Sequence, residues 1–572
     1  MNPKSTMLAF ALTAVWAAPA TAQEIADRIW MGGPILTMDD TAPSIEAVAE
    51  KDGRIIARGD LRSVMSHQGD GTEVTNLDGR TMVPGFVDAH GHAFMVGLQA
   101  LSANMLADPD GEVNSIADMQ KILREWIAEN DAIIKKYNLI VGFGYDDAQL
   151  AEQRHPTRNE LDAVSMDVPL VVVHQSGHVS SLNTAALALV GYDESTEEMP
   201  GGVIRREEET NFPNGVLEEA PHFVSIMKLL SAVDETGFRA MFAAGVDLVS
   251  SFGYTTAQEG RATTFQSQIM IKVASEGKLP IDIVAYPDVL IDRDFIAENH
   301  SREYINGFRV GGAKLTIDGS PQGFTAWRDR PYYDPPTNFR SDYFGYPAAS
   351  ADQVYDAINW AYDNDVQILT HANGEAASDL LIAAIKDAEA SHKPADRRPV
   401  VIHGQFMRED QVDSYNQLGV FPSLFPMHTF YWGDWHRDRT VGPANADNIS
   451  PTGWFRARGI MFSTHHDAPV AFPDSMRVLD ATVTRRSRSN DIIGAHQRVD
   501  VMTALKAMTI WPAYQHFEED TKGSITIGKL ADLVILSDDP TTIDPENLDQ
   551  IKVMATIKEG ETIYQAPSQG GP

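Results

Sequence analysis

The chain has 572 residues, of which 43% are hydrophobic and 22% charged, so it is long enough for two or three globular domains. Its 46 basic and 80 acidic residues give a formal charge of -34, and such an acidic surface repels nucleic acid and anionic membranes. The chain contains no cysteine, which excludes a disulfide framework and a thiolate nucleophile or metal ligand.

The first residues have the pattern of a secretory signal peptide. Lys4 supplies a positive charge, residues 7–18 are almost entirely apolar, and Ala20-Thr-Ala22 has the small-x-small pattern of a cleavage site. We therefore expect residues 1–22 to be removed and the mature protein to be periplasmic or secreted. No later segment reaches the roughly 20 apolar residues that a transmembrane helix needs, so no membrane span is expected.

Short strands and turns are predicted at both ends of the mature chain. Residues 23–82 alternate apolar stretches with turn signals such as Asp52-Gly53, and residues 516–572 show the same pattern. The segment between them, residues 83–515, does not show this pattern. A small β-sandwich domain, assembled from both termini around a central domain, explains this distribution.

Strand-like and helix-like segments alternate through the central region, residues 83–515. Helical patterns such as 351–364 and 376–390 lie between the strands, and alternation of this kind is typical of an α/β fold with a parallel sheet. With the strand before residue 90, eight units are counted, which predicts a TIM-like (β/α)8 barrel. Residues 98–230 exceed what one connection needs and are predicted to be an insertion after barrel strand 1. The other predicted barrel strands are residues 255–259, 281–286, 312–317, 367–371, 400–403, 420–424 and 460–464.

Candidate metal ligands follow several of these strands. His90 and His92 are two residues apart at the end of the first strand, and alternation along a strand points both imidazoles to the same side. The carboxyl ends of barrel strands meet at one mouth, so the ligands are expected to converge there. Imidazole and carboxylate donors suit a divalent ion, with zinc the first expectation and manganese or iron the alternatives. The full candidate set is His90, His92, Lys314, His371, His403 and Asp467.

The chain resembles the amidohydrolase superfamily, in particular amidohydrolase family 3, the branch that includes N-substituted formamide deformylases. The motifs run in family order over nearly the whole mature chain. Two departures are Tyr145, where the family commonly has tryptophan, and His466, where it has serine before the aspartate. The motifs that carry the resemblance are residues 84–92, 142–146, 156–158, 161–162, 176–178 with Asn183, 314–320, 370–374, 402–404, 467–470 and 528–534.

The resemblance implies a hydrolytic site with one or two metal ions. His90 and His92 would bind the more buried ion, and His371 and His403 the more exposed one. Lys314 matches a lysine that is carboxylated in many superfamily members to bridge two metals, and the alternative is an unmodified lysine paired with a carboxylate. Asp467 would bind metal and act as the catalytic group that takes a proton from water and passes it to the leaving nitrogen.

Three further residues are candidate substrate contacts. His178 lies in the insertion, which the resemblance places over the barrel mouth, and its alternative role is a structural hydrogen bond. Trp432 belongs to an aromatic loop after strand seven that either stacks on a bulky substrate or packs beneath the insertion. His466 either supports a neighbouring ligand or faces the adjacent helix.

Two classes of function remain open at this stage. The first is an exported metal-dependent hydrolase that cleaves a non-peptide C–N bond of the amide or formamide type in a small-molecule substrate; ester, lactone or carbamate hydrolysis would use the same site. The second is an exported binding protein on the same fold, which the intact ligand set argues against. A homo-oligomer is compatible with either class.

Overall fold

The computed structural model describes residues 24–199, 202–336 and 339–567. Strands from the two ends of this range pair in one eight-stranded sheet, through antiparallel pairing of Leu533–Leu536 with Thr81–Pro84. The sandwich form and the domain limits stay predictions, and the predicted signal peptide lies outside the described residues. The strands of this terminal sheet are Arg28–Leu36, Ser44–Lys51, Arg54–Gly59, Glu73–Asn76, Thr81–Pro84, Leu533–Leu536, Val553–Lys558 and Glu561–Gln565.

Two parallel sheets occupy the central region, one of four strands and one of five. Each predicted barrel strand overlaps an observed strand, while Phe308–Val310 was not expected. The first sheet contains Phe86–Val87, Tyr254–Ala262, Asp282–Pro287 and Phe308–Val310. The second contains Ala313–Thr316, Ile368–Ala372, Val400–His403, Phe421–Leu424 and Ser463–Thr464.

The two parallel sheets meet on both sides. On one side an isolated parallel bridge joins Asp288 to Lys314. On the other side the two facing strands, Phe86–Val87 and Ser463–Thr464, are only two residues long, so no ladder joins them among the described residues. The architecture is therefore α/β and barrel-like, and a fully closed (β/α)8 barrel stays a prediction.

Main-chain hydrogen bonds between loops replace the missing ladder. The N–H of Asp467 donates to the carbonyl of His90 at 3.0 Å, and the N–H of His92 donates to the carbonyl of Ala468 at 2.8 Å. These bonds connect the segment after the first barrel strand to the segment after the last one. The loops that carry three of the candidate ligands are thus tied to each other.

Helices fill most connections between the parallel strands. The predicted helices at 351–364 and 376–390 are observed as Ala351–Asp363 and Glu375–Ser391, and a capping box at Ser350 begins the first of them. No helix in the described ranges combines the length and apolar character needed to cross a membrane. The other α-helices are Leu61–Met65, Ala93–Leu101, Ile116–Glu129, Asp131–Tyr137, Arg158–Asp162, Thr184–Val190, Ala220–Leu230, Glu235–Ser251, Thr264–Glu276, Arg293–Asn299, Glu409–Gln417, Met427–Trp435, Pro443–Ala446, Thr452–Ala457, Ser475–Thr484, Val501–Lys506 and Ile510–Gln515.

The segment between the first two barrel strands forms a mixed six-stranded sheet of its own. Its strands Ile140–Tyr145 and Leu170–His174 pair in parallel. All five residues of Leu170–His174 are buried, as expected for the centre of a covered sheet. The remaining strands are Ala103–Asn104, Val179–Leu182, Gly202–Arg206 and Pro213–Glu219.

The largest apolar cluster joins the parallel strands to the helices outside them. Ile283, Leu315 and Leu381 are completely buried in it. Burying one such side chain stabilises a fold by about 1.5–3 kcal/mol, so this layer fixes the positions of the strand ends.

Candidate metal centre

His90 is the most enclosed of the candidate ligands. Its side chain is 1% exposed and follows the first barrel strand. Nδ1 lies 2.6 Å from Oε1 of Gln258, and Nε2 lies 2.9 Å from Nζ of Lys314. The amide oxygen of Gln258 holds the proton of the ring on Nδ1, so Nε2 is the nitrogen left to face the centre.

His90, His92 and Asp467 form the tightest group. Their ligand atoms lie within 4.8 Å of one another. Oδ1 of Asp467 is 3.3 Å from Nε2 of His90 and 3.2 Å from Nε2 of His92, yet it makes no hydrogen bond of acceptable geometry. A buried carboxylate oxygen without a partner is costly, and a bound cation would satisfy it.

His371 and His403 form a second pair beside this group. Nε2 of His403 lies 3.1 Å from Nδ1 of His371 and 3.8 Å from Oδ2 of Asp467. Nδ1 of His403 is buried and has no hydrogen-bond partner. The carboxylate of Asp467 therefore stands between the two histidine pairs, which fits a centre of one or two ions.

Burial makes these imidazoles suitable as ligands. It lowers the pKa of His90, His371 and His403 well below the ordinary value, with the nearby ammonium of Lys314 acting in the same direction. The rings are consequently neutral near neutral pH, which is the form of histidine that binds metal.

Lys314 belongs to the same cluster. It lies on the strand Ala313–Thr316, and its side chain is among the largest that are fully buried. Burial lowers its pKa to about 7, although Asp467 opposes the shift. A buried lysine that can lose its proton is chemically distinct from an exposed one, because the neutral amine is a nucleophile.

The main chain at the centre is unusual at His403, the last residue of the strand Val400–His403, and at Asp467, three residues after the strand Ser463–Thr464. His403 has φ 75° and Asp467 has φ 52°, both in the left-handed region that non-glycine residues rarely adopt. Such conformations cost about 1–3 kcal/mol and cluster at functional sites, where the surroundings hold them. They aim both side chains at the centre.

Two glycines allow the close approach of the elements that carry the ligands. A Cβ at Gly91 would lie 2.6 Å from Oδ2 of Asp88, whose Oδ1 accepts the N–H of His90. A Cβ at Gly260 would lie 2.3 Å from Cε1 of His90. A larger residue at position 260 therefore displaces the ring of His90, and one at position 91 displaces the carboxylate of Asp88.

Sequence reasoning missed one residue of the cluster. His465 is 1% exposed, and its ring centroid lies 5.3 Å from that of His90 and 5.1 Å from that of His403. The available signal in the sequence was its position two residues before Asp467, the spacing at which residues of an extended strand share one face. The sequence pattern instead favoured His466, because it directly precedes Asp467.

The ring of His466 points away from this cluster. Its Nδ1 accepts the main-chain N–H of Ala468 at 2.8 Å, and its Nε2 is 3.5 Å from Oδ1 of Asp88. The ring packs edge-on against Tyr254, with centroids 5.0 Å apart. This places it between the first two barrel strands rather than against an adjacent helix.

The other two candidate substrate contacts, Trp432 and His178, differ from each other in burial. Trp432 is 1% exposed, and its Nε1–H donates to Oδ2 of Asp146 at 2.5 Å, so it packs beneath the insertion. His178 is partly exposed and pairs through Nδ1 with Oε2 of Glu219 at 2.8 Å. Burial opposes the shift, but the carboxylate of Glu219 raises the pKa of His178.

A second group of carboxylates and imidazoles, in the insertion, has a structural explanation. Ligand atoms of Asp146, Asp147 and His174 lie within 4.8 Å of one another. Burial opposes the shift, but the carboxylates of Asp146 and Asp147 raise the pKa of His174 to about 9, so its Nε2, 3.1 Å from Oδ1 of Asp147, carries a proton near neutral pH. A protonated nitrogen does not bind metal, so these residues form a hydrogen-bonded cluster that anchors Trp432.

Comparison with known proteins shows to which family the chain belongs. A model of the Amidohydrolase family matches residues 73–564. The putative amidohydrolase YtcJ of Bacillus subtilis is 24% identical over 556 residues, covering 94% of this chain and 99% of that protein. The N-substituted formamide deformylase of Arthrobacter pascens is 23% identical over 563 residues, covering 95% and 99%.

Solved structures agree on the fold. The crystal structure of an uncharacterized metal-dependent hydrolase from Pyrococcus horikoshii matches with a TM-score of 0.72 and 20% identity, covering 91% of this chain and 99% of that one. Fold and site together define a barrel-like metal-dependent hydrolase. The family model matches most of the chain, and the chain belongs to the amidohydrolase family. The resemblance stated from sequence is confirmed, and the protein is a hydrolase that acts on C–N bonds.

Proposed function

We propose that this protein is an exported hydrolase that cleaves an amide- or formamide-type C–N bond outside peptide backbones, at a centre held by His90, His92 and Asp467. The observation that carries the proposal is the approach of these three ligand groups to within 4.8 Å, with one carboxylate oxygen lacking a partner. The name of the Arthrobacter pascens relative supports the formamide type of bond.

Zinc is the ion we propose, with one or two ions per chain. Neutral imidazoles and a carboxylate are the donors that zinc takes in hydrolytic sites, although manganese and iron accept the same set. When bound, the ion supplies Lewis acidity, which makes water more acidic and polarises the scissile carbonyl group.

Asp467 has the position for proton transfer. Its Oδ1 faces His90 and His92, and its Oδ2 faces His403 across 3.8 Å. A carboxylate at the middle of the cluster can take the proton of the attacking water and deliver it to the leaving nitrogen. The proton then leaves with the amine product, and the carboxylate is regenerated.

Lys314 is proposed to be carboxylated on Nζ. Its neutral amine would add to carbon dioxide and lose a proton, which gives a carbamate whose single negative charge is shared by two oxygens. Such a group suits a bridge between two cations, whereas an ammonium would be repelled by them. The short distance from Nζ to Nε2 of His90, 2.9 Å, supports a place for this group among the ligands.

The substrate is proposed to enter beside His178 and Glu219. Their ion pair is partly exposed, and Phe223 packs against His178 with 39% of its own surface exposed. An imidazole paired with a carboxylate, next to an exposed aromatic ring, could bind the polar end and the apolar end of a substituted amide.

Metal analysis followed by a substrate screen tests the proposal. The purified protein should contain a divalent ion, lose activity on complete chelation and regain it with zinc or manganese. It should hydrolyse substituted amides or formamides faster than esters, lactones or carbamates. Turnover of esters alone would assign the other bond type, and a metal-free protein that retains full activity, or that binds a ligand without turnover, would refute the proposal.

Export is proposed from the pattern at residues 4–22. The expected mature N-terminus is Gln23, and the expected compartment is the periplasm or the medium. N-terminal sequencing of protein recovered from a periplasmic fraction tests this. An active cytosolic protein that retains Met1 would contradict it.

A further inference from the structure

His465 is an imidazole whose burial has no explanation within the protein. It is 1% exposed, and neither Nδ1 nor Nε2 makes a hydrogen bond of acceptable geometry, although the main chain of Ser423 lies near the ring. Within the described ranges, it is the only histidine with two buried ring nitrogens that both lack a partner.

Other buried histidines show what a structural role looks like in this chain. His516 bonds through Nδ1 to Tyr286 and through Nε2 to the carbonyl of Asp88. His436 bonds through Nδ1 to Thr440 and through Nε2 to His428. His466, next to His465 in sequence, accepts a main-chain N–H through Nδ1. The absence of such bonds therefore sets His465 apart.

The cost of this arrangement is substantial. A buried polar group without a partner costs about 1–3 kcal/mol, and a neutral imidazole carries both a donor and an acceptor. Native proteins leave few such groups, and each one points to a water, an ion or a functional role. An apolar side chain at position 465 would avoid this cost. The two nitrogens are therefore expected to bind a group that the protein itself does not supply.

The residues around His465 indicate which group its nitrogens would bind. His465 comes directly after the strand Ser463–Thr464 and two residues before Asp467, and its main-chain N–H donates to the carbonyl of Leu424 at 3.1 Å. Its ring stands edge-on to the rings of His90 and His403, at centroid distances of 5.3 and 5.1 Å. The proposed ligand pair His90 and His92 has the same spacing, 5.1 Å. On the remaining side the ring packs against Phe425, with centroids 4.8 Å apart.

We propose that His465 is a further imidazole ligand of the metal centre. The proposal rests on the metal centre proposed above and adds a residue to it. A ring between His90 and His403, and two residues before Asp467, can join either histidine pair through one nitrogen. It would make the centre richer in neutral ligands, which bind an ion without adding charge.

Metal affinity is the readout. His465→Phe keeps a ring of similar shape and removes both nitrogens, and His465→Gln offers a smaller polar group. Loss of a supporting contact typically lowers metal affinity 10–100-fold, so loss of a ligand should lower it by more than about 100-fold. Competition with a chromophoric chelator measures this, and the visible spectrum of the Co²⁺ form should change with the ligand set.

His466→Phe is the matched control, because the ring of His466 packs against Tyr254 and not against the rings of His90 and His403. It should retain the metal affinity and the Co²⁺ spectrum of the wild type. His465→Phe with unchanged affinity and spectrum would overturn the proposal. A 10–100-fold loss with an unchanged spectrum would also overturn it, because it would make His465 a supporting residue and not a ligand.

Should neither His465 variant fold, the zinc-loaded wild-type protein decides. Its crystal structure should place one His465 nitrogen about 2.0–2.1 Å from the ion. An occupied centre with both nitrogens beyond bonding distance refutes the ligand role and leaves the hydrolase proposal intact. A wild-type protein that binds no zinc, even with all of its histidines present, refutes the metal centre itself.

Discussion

Replacement of Asp467 by asparagine separates binding from proton transfer at the centre. The amide keeps the shape of the side chain and an oxygen for the ion, but it cannot accept a proton. Asp467 lies within 3.3 Å of Nε2 of both His90 and His92, so it combines the roles of ligand and base. We expect Asp467→Asn to fold and to retain part of its metal.

The size of the effect follows from these roles. Loss of a general base costs about 10²–10⁴ in rate, or about 2.7–5.4 kcal/mol in the activation free energy. The loss of negative charge between two histidine pairs should add to this, so kcat should fall by at least about 10³. His466→Ala should fall far less, because that ring contacts Asp88 and Tyr254.

The assay is steady-state hydrolysis of one amide substrate by both variants, with the metal content of each sample measured in parallel. Circular dichroism checks that both variants fold. An active Asp467→Asn beside an inactive His466→Ala would transfer the role of base to His466 and refute the reasoning. Equal losses in the two variants would show that the site responds to any change near the strand end.

Three other predictions concern the surroundings of the centre. Lys314→Ala should lose at least one ion and most activity, with partial rescue by short carboxylic acids; unchanged metal content and rate would exclude a bridging role. Gly260→Ala should weaken metal binding at least about tenfold, since its Cβ would lie 2.3 Å from a ligand ring, whereas Gly277→Ala, which meets nothing within 4 Å, should not. Glu219→Gln should lower the pKa of His178, so its imidazole should lose its charge at lower pH in an NMR titration; an unmoved pKa would contradict the ion pair.

Strand positions and most of the cluster could be predicted from the sequence because both depend on short-range pattern. Apolar runs that end in His90, His371 and His403 mark buried strands, and parallel strands bring their carboxyl ends together. The structure places His90 and His403 beside Asp467 and places His371 beside His403. The roles assigned to the individual ligands remain predictions for the experiments above.

The surroundings of His466 and Trp432 depend on information that a local pattern does not contain. Which of two adjacent histidines faces the centre follows from the register of a strand only two residues long, Ser463–Thr464. Burial of Trp432 depends on Asp146, which is 286 residues away in sequence. Contacts between residues so far apart in sequence depend on how the insertion packs on the barrel. The aromatic composition of the loop alone favoured a substrate contact and packing beneath the insertion equally.

The terminal sheet has a consequence for how the chain can fold. Arg28 donates a hydrogen bond to Glu561, 533 residues further along, and the strand Thr81–Pro84 takes its antiparallel partner from the last part of the chain. This sheet cannot be completed until almost all of the polypeptide is available, and such non-local pairing is slow. Synthesis from the N-terminus therefore leaves the early strands with open edges for most of its duration. A chain that is to cross a membrane unfolded gains from this delay, whereas a chain truncated before residue 533 would keep those edges exposed and be prone to aggregate.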